Sequence, residues 1–187
     1  MQNRRSIRQF KATKIDRERL EQIMDVVRFA PTGTNRQMTQ WIIVSDSALI
    51  DQLAEATINW MRMVVKGAPE MGMRYNFPGI IANWEAGLDR ICRHAPHLAI
   101  CHTPTAYPVG PKDGTIAAAH LELFLPSMGL GACWAGFLMI ALEQQPDMKQ
   151  LIGLGANQTV HAALMMGYPK YKYKDLPARN AAKVQWM

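Results

Sequence analysis

The chain has 187 residues, 49% apolar and 19% charged, with a net charge of +6. That fits one domain with a real core and excludes a disordered tail, and no run approaches the roughly 18 apolar residues that a membrane span needs. Three cysteines without a CxxC pair exclude a disulfide framework, a zinc ribbon and an iron–sulfur cluster of ordinary spacing.

Residues 16–30 predict an amphipathic helix. Asp16 is its N-cap, and Leu20, Ile23, Met24 and Val27 recur at helical spacing. Pro31 ends it, and a turn-forming run through Asn35 follows. Residues 41–44 read as a short buried strand, and Asp46 or Ser47 caps a long helix to about Val65. Residues 67–79, with three glycines and two prolines, read as a mobile excursion, and residues 80–93 as a helix. A second strand is expected at 98–103, then a proline-rich loop over 104–112.

Residues 113–128 predict a helix that is apolar nearly all round and therefore central, ended or kinked at Pro126. The run GLGACWAG (129–136) reads as a glycine-punctuated turn. A short helix at 146–152, a strand at 160–167 and an extended terminal arm complete the chain. Helices mixed with short strands give an α+β class in one domain, residues 1–187. The N-terminus has charge but no apolar segment behind it, so it is no signal peptide, and a soluble, cytoplasmic protein is expected.

Charge placement says more than net charge. Residues 1–20 carry Arg4, Arg5, Arg8, Lys11, Lys14, Arg17 and Arg19 against two acids, and residues 170–187 carry five cations against Asp175 alone. Two positive ends suit either one anion held between them or a nucleic-acid surface.

Four segments carry chemistry. In Arg4-Arg5-Ser6-Ile7-Arg8, an extended backbone turns Arg4, Ser6 and Arg8 to one side, and guanidinium forks match phosphate oxygens. The turn Pro31-Thr32-Gly33-Thr34-Asn35-Arg36-Gln37 exposes amides and short polar groups suited to a heterocycle's edge. In 129–136 the glycines permit close approach to a flat ligand, but the run is no GxGxxG fingerprint. The fourth is the basic arm, Lys170 to Arg179. Each taken singly has an ordinary structural explanation.

In order and spacing, RRSIR, APTGTNRQ, GLGACWAG and the terminal GYP…LPAR resemble the FMN-dependent nitroreductase family, from Arg4 to Trp186. The APTGTNRQ form is most similar to nitroreductase-like domains that in some proteins follow a ferredoxin segment. The resemblance implies a central, mostly antiparallel sheet flanked by helices, with a C-terminal arm reaching a partner subunit. It implies a homodimer with FMN at the interface, oxidising NAD(P)H and reducing a small substrate such as a nitroaromatic, quinone or activated alkene.

It also implies roles. Arg4, Arg5, Ser6 and Arg8 take the phosphate, ribityl chain and pyrimidine edge, with Arg8 nearest N1 and O2. Pro31, Thr32, Gly33, Asn35 and Gln37 reach the flavin from the other subunit. Trp134, Ala135 and Gly136 lie by N5, and Arg179 and Lys170 close on the phosphate. The cofactor does the hard chemistry, so no catalytic acid or base is required. Two departures stand out: Met38 where the family often has proline, and residues 60–95, which match no motif.

Cys92, His94, His97, Cys101 and His102 lack zinc spacing, so no metal site is assigned. Ser6 and Ser127 lack a GxSxG context. Two alternatives stand: a flavoprotein of this fold with another role (carrier, dehalogenase or flavin-degrading relative) and, more remotely, a basic nucleic-acid-binding domain.

Overall fold

The computed structural model describes residues 4–187. Helix α1 spans Arg17–Val27, and Asp16 caps it by accepting from the Arg19 amide at 2.8 Å. Strand β1 (Gln40–Val44) leads to α2 (Ser47–Gly67), capped by Asp46 through the Ala48 amide. Helices α3 (Pro69–Arg74) and α4 (Phe77–Glu85) follow, then β2 (His97–Pro104) and α5 (Gly110–Phe124). The remainder is β3 (Gly131–Trp134), α6 (Gly136–Gln144), α7 (Pro146–Leu151) and β4 (Gln158–Gly167).

The four strands form one antiparallel sheet in the order β1-β2-β4-β3. The two central strands are apolar on both faces, as expected for a sheet covered by helices on each side. On β2, Leu98 and Ile100 enter one core with α2, α4 and α6, while Ala99 and Cys101 enter another with α1 and α5. Ala163 and Met165 of β4 join the first, and Ala162, Leu164 and Met166 the second. The layers are thus helix, sheet, helix.

Several expectations need correction. Residues 67–79 are not a loose excursion. Pro69 and Pro78 each sit in the first turn of a helix, where a missing N–H costs nothing. The helix expected to Arg93 stops at Glu85, and Gly87 follows at φ 79°. The central helix begins at Gly110, ends at Phe124 and passes into a 3₁₀ turn, Leu125–Met128, closed by Gly129 at φ 71°. It is not sealed all round: Ile116 and Leu123 are exposed. The run 129–136 is no simple turn but edge strand β3 and the start of α6.

Candidate functional site

The two basic ends of the chain lie side by side. Ser6 bridges Ala132 of β3 in parallel, and the Ile7 amide donates to the Ala132 carbonyl at 2.9 Å. Ile7 packs where a Cβ on Gly131 would stand, so glycine is needed there for the N-terminal segment to dock. Further on, Phe10 bridges Pro169, the Lys11 amide donates to the Tyr168 carbonyl at 2.8 Å, and the Lys170 amide donates to the Gln9 carbonyl at 3.0 Å. The Arg5 guanidinium donates to the Asp175 carbonyl at 3.2 Å and stands 6.0 Å from the centre of the Tyr173 ring. Arg5 and Ile7 line a cavity of about 520 Å³ with the arm, and Arg8 and Lys170 share a groove of about 470 Å³. Both volumes suit a small-molecule ligand. Arg179 is exposed and lines neither.

A buried carboxylate ties two of the segments together. Glu122 of α5 accepts from Arg4 Nη1 at 2.8 Å and from Trp134 Nε1 at 3.2 Å, one donor to each oxygen. It is 9% exposed. The sequence reading passed over Glu122. Its only signal is an acid in the mostly apolar second half of α5, and a buried acid needs partners.

Trp134 is half-buried, and Ala135 is buried with its amide on the Ala163 carbonyl at 2.8 Å. Gly136, the first residue of α6, is exposed, and a Cβ there would meet nothing. Here the backbone is open to a flat ligand. Burial pushes the Cys133 thiol up, opposed by the positive charges of Arg8 and Arg93, so the thiol stays protonated at neutral pH.

The Pro31–Gln37 turn lies elsewhere. Thr34, Asn35 and Gln37 have φ of 51°, 54° and 53°, a strained conformation that needs anchors. The Gly33 amide lies 3.1 Å from both oxygens of buried Asp113, which also accepts from the Tyr107 hydroxyl at 2.6 Å. Thr32 Oγ1 accepts from the Gln37 amide at 3.0 Å. The turn feeds β1 at one sheet edge, while Arg4–Arg8 lies against β3 at the other. Three inter-strand steps, about 14 Å, separate those edges. Within one chain the turn and the basic segment therefore face different regions.

The cysteines and histidines that mimic a metal site go to different places. Cys92 and Cys101 lie in the two cores on opposite faces of the sheet. His97 is bound to Ile15 and Ser45, and His102 to Gln158.

No helix is long and apolar enough to cross a membrane among the described residues. A model described as the nitroreductase family matches residues 1–168. A protein of Archaeoglobus fulgidus, named for NADH dehydrogenase or NAD(P)H nitroreductase activity, is 23% identical over 171 residues, covering 89% of this chain and 82% of its own. A nitroreductase of Desulfitobacterium hafniense, solved with bound FMN, superposes with a TM-score of 0.79 at 20% identity over 99% of this chain and 94% of that one. An iodotyrosine deiodinase bound to FMN and 3-iodo-L-tyrosine superposes with a TM-score of 0.73 at 20% identity, over 98% and 95%.

Proposed function

The chain belongs to the nitroreductase family, and from that premise we propose that it binds FMN between two copies of itself and passes reducing equivalents from NAD(P)H to a small oxidised substrate. The observation that carries this reading is the convergence of both cationic chain ends beside β3, next to the open backbone at Gly136. A phosphate with nearly two negative charges explains why cations arrive from both termini.

Bound FMN would supply the two-electron chemistry. The protein's part is position and charge. Arg4, Arg5 and Ser6 would hold the phosphate and ribityl chain, with Lys170 and Arg179 closing on the phosphate. Arg8 would set a permanent cation at the pyrimidine edge and so favour the negative charge that a reduced flavin carries there. Glu122 fixes Arg4 relative to Trp134, so the phosphate end and the ring end keep one spacing. Trp134, Ala135 and Gly136 would flank N5, and the absent Cβ at Gly136 would let a donor or acceptor approach.

A second copy supplies the rest. Pro31, Thr32, Gly33, Asn35 and Gln37 lie on the wrong sheet edge to reach their own chain's basic segment. The exposed apolar side chains of α5, Ile116 and Leu123, and the 73% exposed Phe29 offer a surface for that copy. Soluble operation follows from the same reading. A carrier or dehalogenase of this fold would use the same cofactor site and is separated by turnover. The nucleic-acid alternative is disfavoured because the basic segments pair with one another.

The test is direct. The purified protein is expected to be yellow or to take up FMN, and then to oxidise NADH or NADPH with a quinone or nitroarene. A protein that takes up no flavin refutes the reading, and flavin uptake without turnover favours the carrier or dehalogenase.

A further inference from the structure

We infer that Arg90 and Arg93 form, with Arg8 and Lys170, a second anion site that receives the carboxylate or phosphate of a reacting small molecule. The groove of about 470 Å³ is lined by these four cations together with His94 and Asp89. Among the described residues none of the four has an ion-pair partner. The one carboxylate nearby is turned inward. Asp89 is 8% exposed and accepts from the amides of Ile91 at 2.7 Å, Cys92 at 3.0 Å and His94 at 3.0 Å.

Those three bonds hold a backbone that is costly on its own. Arg93 and His94 adopt left-handed φ of 56° and 48°, and consecutive non-glycine residues there need external support. The result presents Arg93 toward Arg8 although the two repel. Burial first, with the positive charges of Arg8 and Arg90, lowers the Arg93 pKa from its ordinary value, and Cys133 and Asp89 oppose the shift. Like charges held together, with the nearest carboxylate committed to three backbone amides, are the makings of an oxyanion site.

The groove contains none of Arg4–Ser6 and none of Trp134–Gly136, and only Arg8 and Lys170 belong also to the proposed cofactor set. It therefore meets the proposed cofactor set at Arg8 and Lys170, while Arg90 and Arg93 lie outside that set. An anion seated there would lie next to Arg8, the residue assigned to the pyrimidine edge. This identification of the occupant rests on the proposed cofactor position; the anion site itself does not.

The experiment is calorimetric titration of the FMN-loaded protein with pyrophosphate. Saturable binding is expected, weakened at least about tenfold by Arg93→Gln and by Arg90→Gln, with Arg93→Lys retaining part of it. FMN content should stay unchanged throughout. Absence of binding, binding indifferent to both variants, or displacement of FMN by pyrophosphate overturns the inference. Steady-state assays of Arg93→Gln then find the source of the anion. A KM rise for 4-nitrobenzoate but not 4-nitrobenzyl alcohol places it on the acceptor, and a rise for NADPH but not NADH places it on the donor. Equal changes within both pairs overturn the inference. A flavin-free protein that still binds pyrophosphate through Arg93 would leave this site standing and remove the cofactor reading.

Discussion

Arg4 and Trp134, 130 residues apart in sequence, donate to the two oxygens of one carboxylate, Glu122, at 2.8 and 3.2 Å. The Arg4 side chain is 29% exposed and that of Glu122 is 11% exposed, so the pair is only partly screened by water. Replacement by glutamine leaves one acceptor for two donors. Glu122→Gln is therefore expected to cost about 1–3 kcal/mol of stability and to weaken FMN binding by about tenfold, roughly 1.4 kcal/mol. Thermal melts and flavin fluorescence titration measure the two effects. Unchanged flavin affinity would show that the triad is structural only.

The Pro31–Gln37 turn has its own anchor. Asp113, 3% exposed, accepts from both the Gly33 amide and the Tyr107 hydroxyl. Asp113→Ala strands one buried and one half-buried donor and is expected to destabilise by about 1–3 kcal/mol. Tyr107→Phe removes one donor with its partner still bonded, so it should cost less. In the proposed dimer, Asp113→Ala should lower flavin uptake although the residue lies on the far sheet edge from Arg8. Uptake equal to wild type contradicts a role for this turn.

Gly131 tests how the N-terminal segment docks. A Cβ there would collide with Ile7, which bonds the neighbouring Ala132. Gly131→Ala is expected to destabilise by about 1–3 kcal/mol through overpacking, and adding Ile7→Ala should recover part of it. Protease protection of residues 4–10 and melting temperature report the result. Additive losses in the double variant would contradict the contact.

His97 sets an acid limit on stability. The Ile15 amide donates to Nε2 at 2.8 Å, so Nδ1 carries the proton and donates to Ser45 Oγ at 2.7 Å. Burial first and the charge of Lys14 second push its pKa down to about 4. The unfolded chain takes up this proton near pH 6.5 and the folded chain only near 4. Stability is thus complete above about pH 6.5 and falls by up to about 1.4 kcal/mol per unit below it. Urea midpoints at pH 7.5 and pH 5 should show that loss, and His97→Gln, which keeps an acceptor for Ile15, should flatten it. An equal loss in the variant contradicts the assignment.

The parts of the fold that were legible in sequence had strong local signals. Asp16 and Asp46 mark helix starts, and the apolar runs of β2 and β4 could only be buried strands. Strand β3 was missed because it is four residues long and small, next to glycines that read as turn. Helix α3 and the first turn of α4 were missed because Pro69 and Pro78 read as breakers when they start helices. The cationic ends were legible as charge, and their meeting follows from backbone pairing at Phe10 and Pro169. Glu122, Asp113 and Asp89 were not, because each is a lone acid whose donors come from elsewhere in the fold or from a loop with no periodic pattern.

The central claim is that a flavin site needs the basic segment of one chain and the Pro31–Gln37 turn of another. Co-expressing Arg8→Gln chains with chains carrying alanine at Thr32, Asn35 and Gln37 tests it by complementation. Neither variant alone should retain FMN. If the two halves come from different copies, random pairing should restore about a quarter of the wild-type flavin content, because half the dimers each regain one intact site. Flavin content no higher in the mixture than in either variant alone would contradict the account.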